Sequence, residues 1–244
     1  MLLKACINGP RLPVDHPRLV AAPESVAAEA RSAVEAGARA IHLHPKSDDG
    51  HDSLAGADVD RYVAATRAAC PLVPVGITTG AWSAPVLADR LAAIDSWTTM
   101  PDFASVNWHE AGADEVAERL LERGVDVEAG IWHTDGLAKW LVSPHRSRCL
   151  RVLVEIPDIA EVDQIEAAAV ELIQAVRAVL PHMPVLLHGE DRSAWPALHL
   201  AAQWGLDTRI GLEDTLCLPD GSPAQDNEQL IRVAMAELDH ETKS

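Results

Sequence analysis

Short apolar runs alternate with longer segments of helical periodicity along the whole chain, and this alternation constrains the fold more than any other feature. Eight runs rich in aliphatic and β-branched residues occur, at 2–7, 39–44, 72–78, 103–108, 125–132, 149–156, 184–188 and 208–212. Between them lie segments whose apolar residues recur every three to four positions, as in helices. Eight such units in 244 residues predict an α/β fold, a (β/α)8 TIM barrel forming a single domain over residues 1–244.

The intervening segments carry the signals of helix ends. Segments 24–37 and 113–124 both finish in glycine, the residue favoured just beyond a helix C terminus. Further helices are predicted over 161–180, before a proline, and over 226–240. An open doubly wound sheet is the alternative topology, and it usually carries a G-x-G-x-x-G loop after its first strand. Residues 8–13, NGPRLP, lack this spacing, which favours the barrel.

Charge and composition exclude several classes of partner. The formal net charge is −17, whereas nucleic acids and anionic membranes are bound through basic faces. No apolar run approaches the ~18 residues of a membrane helix, and the first ten residues are typical of a strand rather than of a leader peptide. The four cysteines are far apart, without the spacing of a zinc knuckle or a redox pair. We therefore expect a cytoplasmic protein with reduced thiols that acts on a small molecule.

Polar residues gather where the predicted strands end. In TIM barrels the active site lies at the carboxyl ends of the strands, so these positions are candidates for function. Each alone has an ordinary explanation, such as a turn or a helix cap, but together they indicate a site. They are Asn8, Arg11, His42, His44, Thr78, Thr79, Asn107, His109, Glu128, Trp132, Glu155, His188, Glu190, Glu213 and Asp214.

The pair His42 and His44 stands out within this set. Successive side chains of a strand point to opposite faces, so both imidazoles lie on the same side of the second strand. Two imidazoles and a nearby carboxylate form the three-ligand zinc site with an open position that catalysis requires. Two buried histidines with ordinary hydrogen bonds are an equally good explanation of the pattern alone, because H-x-H is common.

Seven longer motifs together resemble the β-keto acid cleavage enzyme family. They are NGPR (8–11), GARAIHLHPKSDDG (37–50), GITTG (76–80), SVNWHEAG (105–112), VEAGIW (127–132), HGEDRSAWP (188–196) and TRIGLEDTLCLPDG (208–221). The resemblance implies a (β/α)8 fold and a divalent metal, usually zinc. It also implies a reaction of a β-keto acid with acetyl-CoA that yields acetoacetate and a new acyl-CoA. Family members are usually oligomers, so a homo-oligomer is expected.

The resemblance also implies roles for individual residues. Matching positions assign His42, His44 and Glu213 as the metal ligands, and Asp214 with Arg209 as the pair that serves the chemistry. Asp214 is the candidate base, since it lies beside a ligand and a guanidinium orients it. Thr78 is expected to hydrogen-bond an oxyanion, and Glu128 is a further catalytic candidate. Substrate contacts are expected from Asn8, Arg11, Lys46, Thr79, Asn107 and Glu190.

Three departures from the family pattern predict a short-chain subfamily with a different substrate. Lys46 replaces the usual arginine of H-x-H-x-R, which keeps the charge but loses the bidentate fork. Gly130 stands where the strand 5 motif often has a second glutamate, two residues after Glu128. The segment 155–166 after strand 6, EIPDIAEVDQIE, is short and acidic, and its charges oppose the phosphates of CoA.

The position of Arg209 allows two arrangements. On a regular strand it lies about 13 Å below Glu213, four residues later. It reaches the substrate if the strand bends or if the side chain rises inside the barrel. Otherwise it is a core arginine paired with a barrel carboxylate such as Glu128.

Other functions compete with acyl transfer. A metal-dependent hydrolase and an aldolase-type lyase on the same fold both act without CoA. Amidohydrolases carry H-x-H on the first strand, whereas here the motif follows on the second. A non-catalytic barrel is also possible for any fold, but it leaves the polar strand ends unexplained. Metal content separates this last option from the enzymes, and a requirement for acetyl-CoA separates acyl transfer from hydrolysis and lyase chemistry.

Overall fold

A closed parallel barrel forms the centre of the molecule in the computed structural model, which describes residues 1–241. Each strand pairs with the next in sequence, and the last pairs with the first. The (β/α)8 barrel predicted from the alternation is thus confirmed. Within the described residues the strands are Leu3–Cys6 (β1), Ala40–Leu43 (β2), Val75–Thr78 (β3), Phe103–Asn107 (β4), Asp126–Ile131 (β5), Arg151–Ile156 (β6), Val185–Gly189 (β7) and Asp207–Ile210 (β8).

Helices cover the outside of the barrel, one after each strand. Gly37 and Gly124 follow the first and fourth helices with φ of 132° and 74°, so the predicted glycine stops are observed. No helix in residues 1–241 is long and apolar enough to cross a bilayer. The helices are Pro23–Ala36 (α1), Gly56–Ala69 (α2), Leu87–Ser96 (α3), Ala113–Glu122 (α4), Thr134–Val142 (α5), Val162–Val179 (α6), Ala194–Gln203 (α7) and Asn227–Glu241 (α8).

The strands are short and are buried on both faces. In β2 all four side chains are buried. Ile41 and Leu43 belong to the apolar core, whereas His42 lines a cavity inside the barrel. Helices cover the outer face of a parallel sheet and side chains fill the inside of a small barrel, which explains why such strands are almost continuously apolar. Polar residues inside the barrel are therefore exceptions that require an explanation.

The last strand ends earlier than predicted, and this change shapes the site. β8 stops at Ile210, two residues before the end of the predicted run. Gly211 then packs against β1, where an added Cβ would lie only 1.9 Å from the Cys6 carbonyl oxygen. The amides of Asp214 and Thr215 donate to the Gly211 carbonyl at 2.9 and 3.1 Å. The chain therefore turns back over the mouth of the barrel immediately after β8.

A buried ion pair crosses the lower part of the barrel interior. The Lys4 ammonium of β1 lies 2.6 Å from Glu128 Oε2 of β5, and both side chains are fully buried. Arg151 Nε of β6 lies 3.2 Å from Glu128 Oε1. Because β1 and β5 are opposite each other in the closed barrel, this pair links the two sides of the interior. Glu128 is thus a structural partner of Lys4 and Arg151, and it is not paired with Arg209.

We predict that removing one member of this pair destabilises the fold. In Glu128→Gln the Lys4 ammonium stays buried without its counter-charge, and the free energy of unfolding should fall by about 3–5 kcal/mol. Urea unfolding followed by circular dichroism measures this change. The double variant Lys4→Met, Glu128→Leu removes both charges and should recover most of the loss. Wild-type stability in Glu128→Gln would contradict the assignment.

Candidate active site

A cavity of about 210 Å³ opens at the carboxyl ends of the strands. The residues that line it come from many parts of the chain. The polar residues at the strand ends thus surround a single cavity. The predicted site residues that reach its wall are Arg11, His42, His44, Thr78, Asn107, Trp132, Glu155, Glu190, Arg209, Glu213 and Asp214. Asn8, Lys46, Thr79 and Glu128 are not among the lining residues.

Three of the lining side chains form a compact donor set. His42 Nε2 lies 3.8 Å from Glu213 Oε2, and His44 Nε2 lies 3.7 Å from Glu213 Oε1. One donor atom of each residue lies within 4.8 Å of the others. These distances are too long for hydrogen bonds, and Glu213 Oε2 is buried without a hydrogen-bond partner. Two imidazoles and a buried carboxylate with an unused oxygen fit a divalent metal such as zinc.

Asp52 hydrogen-bonds to His44 through the ring nitrogen that does not face Glu213. The sequence did not identify this residue. Its Oδ2 accepts from His44 Nδ1 at 2.8 Å and from Trp82 Nε1 at 2.7 Å, and its Oδ1 accepts from Lys46 Nζ at 2.5 Å. A proton on Nδ1 leaves the Nε2 lone pair of His44 for a metal, the usual arrangement of a carboxylate behind a histidine ligand. Burial acts to lower the pKa of His44, but the Glu213 and Asp52 carboxylates raise it to about 9.

Three residues predicted to contact substrate hold the backbone instead. The Asn8 side chain makes two hydrogen bonds of 2.8 Å to the main chain of His44. The Lys46 ammonium donates to the Gly9 carbonyl at 2.7 Å as well as to Asp52, and the Thr79 hydroxyl donates to the Ser105 carbonyl at 2.7 Å. The structure therefore places these side chains behind the cavity wall, where they position the loops that form it.

Arg209 reaches the top of the barrel. Its Nε and Nη2 donate to Asp214 Oδ1 at 3.0 and 2.7 Å, and Nη2 also donates to Glu213 Oε1 at 3.0 Å. The turn after Ile210 makes these contacts possible, because it brings Glu213 and Asp214 back over the arginine. Burial opposes ionisation of Glu213, but the guanidinium and the two imidazoles hold its pKa well below the usual range.

Asp214 has the properties of a general base. Arg209 holds its Oδ1, whereas its Oδ2 has no hydrogen-bond partner in the described part of the chain. Burial raises the pKa of Asp214 to about 7, since the opposing attraction of Arg209 is partly offset by repulsion from Glu213. A base works best when its pKa lies near the operating pH.

The remaining cavity residues surround this centre. The Thr78 hydroxyl accepts from the Gly80 amide at 3.1 Å, so its own proton is free for another acceptor. Arg11 Nε donates to the Glu213 carbonyl at 3.1 Å and its Nη2 pairs with Asp191 Oδ1 at 2.5 Å. These contacts join the loop after β1 to the turns after β7 and β8 at the mouth of the cavity.

Gly130 and Asn107 are in close contact on neighbouring strands. They are registered opposite each other in β5 and β4, and a Cβ at position 130 would lie 2.4 Å from Asn107 Oδ1. The Asn107 amide nitrogen donates to Glu110 at 3.1 Å. A glycine at position 130 therefore gives the Asn107 side chain its space.

Trp82 lines the cavity and, like Asp52, was not identified from the sequence. It is 45% exposed at the mouth, its ring stacks on that of His44 with centroids 6.1 Å apart, and its indole N–H binds Asp52. An isolated tryptophan in the loop after β3 carries no motif, so only the structure identifies it. It covers one side of the histidine from solvent.

A closed (β/α)8 barrel with ionisable groups converging at its carboxyl end is the architecture of a TIM-barrel enzyme. The sequence identifies which one: this chain belongs to the beta-keto acid cleavage enzyme family, whose pattern it matches over residues 1–241. The resemblance drawn from the motifs is thus confirmed. Membership makes the protein an enzyme that cleaves a carbon–carbon bond of β-keto acids.

Two curated relatives extend over nearly the whole chain. A 3-keto-5-aminohexanoate cleavage enzyme from Fusobacterium nucleatum subsp. nucleatum is 25% identical over 95% of this chain and 88% of its own length. The enzyme of the same name from Acetoanaerobium sticklandii is 22% identical over 95% of this chain and 89% of its own length.

Solved structures of ObcA share the fold. A binary complex of ObcA with oxaloacetate superposes with a TM-score of 0.72 at 19% identity, over 93% of this chain but only 64% of the ObcA chain. A ternary complex of ObcA with a C4-CoA adduct and oxalate gives the same TM-score and identity, over 93% and 65%. This chain therefore spans less than two thirds of ObcA, and the likeness is one of barrel architecture.

We predict that metal binding depends on the donor set and, to a smaller degree, on its support. His44→Ala removes a ligand and should abolish stoichiometric zinc binding. Asp52→Asn removes only the carboxylate behind the ligand and should weaken the affinity about 10- to 100-fold. Metal content by mass spectrometry and calorimetric titration of the apoprotein measure both effects, with circular dichroism as the check on folding. Unchanged zinc content in His44→Ala would exclude this site.

Proposed function

We propose that this enzyme transfers the acyl group of a short β-keto acid to CoA, with acetyl-CoA as co-substrate and zinc or a similar divalent metal held by His42, His44 and Glu213. The products are acetoacetate and a new acyl-CoA. The observation that carries the proposal is the juxtaposition of this donor set with Asp214, whose free oxygen lies in the same cavity wall. A bound metal would supply Lewis-acid polarisation of the keto and carboxylate oxygens.

Asp214 starts the reaction by removing a proton from the carbon between the carboxylate and the ketone. This carbon attacks the thioester carbonyl of acetyl-CoA, and CoA leaves as the thiolate. The thiolate then attacks the ketone carbon, and the bond between the ketone and its neighbouring CH carbon breaks. The electrons of that bond remain on the acetoacetate carbon, which takes the proton back from Asp214. The reaction consumes no further reactant.

Other side chains bind and stabilise. The free hydroxyl proton of Thr78 is available to an oxyanion at the reacting carbonyl, and such donors stabilise charge that develops in the transition state. Arg209 keeps Asp214 oriented through two hydrogen bonds. Arg11 lines the cavity with its guanidinium paired to Asp191, so it binds a substrate carboxylate or phosphate by sharing its donors with that residue.

One acidic charge of the segment after β6, which opposes the phosphates of CoA, is paired. Asp158 opens the acidic segment after β6, and its carboxylate is held by Arg192 through two hydrogen bonds of 2.8 Å. This charge is thereby neutralised and does not act alone against the phosphates of CoA. The names of the two curated relatives and the CoA adduct in the ObcA complex support the same chemistry.

We predict that Asp214→Asn reduces turnover by at least ~100-fold, the low end of what a general base contributes. The amide keeps the shape of the side chain but has no basicity. Zinc content should stay at the wild-type level, which separates a lost base from a lost metal. Asp220→Asn, in an exposed loop where the Asp220 carboxylate accepts hydrogen bonds from Ser222, is the matched control and should turn over like wild type.

Isotopic labelling distinguishes acyl transfer from its alternatives. With acetyl-CoA labelled in the acetyl group and a β-keto acid, we expect the label in acetoacetate and none in the new acyl-CoA. Mass spectrometry of the products measures this distribution. Cleavage at the same rate without acetyl-CoA would instead identify a hydrolase or an aldolase-type lyase.

A further inference from the structure

The wall of the cavity opposite the donor set is lined by residues of a different set of strands. His42 and His44 come from β2 and Glu213 follows β8, both neighbours of β1, whereas β4, β5 and β6 lie across the closed barrel. The lining residues from that far side are Ser105, Asn107, Gly130, Trp132, Leu153 and Glu155. Glu155 is the one ionisable side chain among them.

Glu155 faces the cavity and makes no side-chain hydrogen bond within the described part of the chain. Its side chain is 16% exposed although it comes from an inner position of the barrel, so the exposed surface belongs to the cavity. Within residues 1–241 no side chain donates a hydrogen bond to its carboxyl. His188 Nε2 approaches to 3.5 Å, but it makes no hydrogen bond. Burial, together with the charge of Arg209, keeps the pKa of His188 well below its usual range, so this ring is neutral.

The surroundings of Glu155 make an unpaired state costly. Burial raises its pKa to about 8, and the attraction of Arg209 is opposed by repulsion from Asp214, Glu213 and Glu190. Burying a polar group in such a place costs free energy unless the group is hydrogen-bonded. A ligand that donates a hydrogen bond to this carboxyl removes that cost, whereas a methyl group leaves it in place.

We propose that Glu155 is the specificity-determining residue for the substrate side chain, and that it selects β-keto acids whose far end carries a hydrogen-bond donor, a hydroxyl or an amino group. The assignment rests on the proposed function, because that function places the keto and carboxylate groups at His42, His44 and Glu213. The side chain then extends across the barrel to β6. A cavity of about 210 Å³ limits it to a short chain.

The test compares β-keto acids of equal length that end in methyl, hydroxyl, amino or carboxylate groups. For wild type we expect kcat/KM to be about 10- to 100-fold higher for a donor-ended acid than for the methyl-ended one. Glu155→Leu should abolish this preference by lowering kcat/KM for the donor-ended acids, while kcat/KM for the methyl-ended acid stays unchanged. Glu155→Gln keeps a neutral acceptor, so it should retain a preference for hydroxyl and lose one for amino, which distinguishes the two donors.

A binding measurement makes the result independent of turnover. Calorimetric Kd values of the same acids, taken with zinc-loaded protein and no acetyl-CoA, should show the same order and the same loss in Glu155→Leu. Glu166→Gln, on the exposed face of α6, is the control. If no acid is cleaved, acyl transfer fails while the Kd values still test Glu155. If wild type and Glu155→Leu discriminate between donor and methyl ends equally, the assignment to Glu155 is overturned.

Discussion

The guanidinium of Arg209 allows two buried carboxylates to lie side by side at the mouth of the barrel. Glu213 and Asp214 are adjacent in sequence and both face the cavity, so their mutual repulsion and their desolvation oppose ionisation. Arg209 contacts both carboxylates and lowers the pKa of each; His42 and His44 add to this attraction at Glu213, whereas Glu213 repels the charge of Asp214. Glu213 remains an anion suited to a metal, whereas Asp214 has a pKa near neutrality and one free oxygen. Two neighbouring residues of the same chemical type thereby acquire different tasks.

This arrangement depends on the backbone turn after β8, which the sequence pattern did not reveal. On a regular strand Arg209 lies far below Glu213, so its pairing with Asp214 required a bend in the strand or a rising side chain, and a buried partner such as Glu128 was the alternative. In the structure Gly211 ends the strand because it lies against the β1 backbone, and the following residues fold back over the arginine. The apolar run at 208–212 continues past the strand, so periodicity alone gave no sign of its end.

Regular elements and local geometry were predictable from the sequence. Each apolar run overlaps a strand, and glycine ends two helices. Both histidines of the H-x-H pair reach the cavity wall, His42 from β2 and His44 from the residue just after it, as the alternation of side chains predicted. Asp52 could not be predicted, since it reaches His44 only through a folded-back loop in which Lys46 and Asp52 form an antiparallel bridge. The polar loop between them has no periodicity. Asn8 and Thr79 looked like substrate contacts because buried backbone groups at strand ends also require polar partners.

Gly130 and Asn107 have a consequence for how substrate preference diverges within the family. A side chain at position 130, such as the glutamate common in the family, collides with the Asn107 amide oxygen in this chain. The atom that is met is the end of a flexible side chain, so a larger residue at position 130 can be accommodated if the Asn107 amide turns away, at the expense of its hydrogen bond to Glu110. The residue at position 130 therefore decides how the Asn107 amide is oriented at the cavity wall, and with it which polar group that wall presents to a substrate.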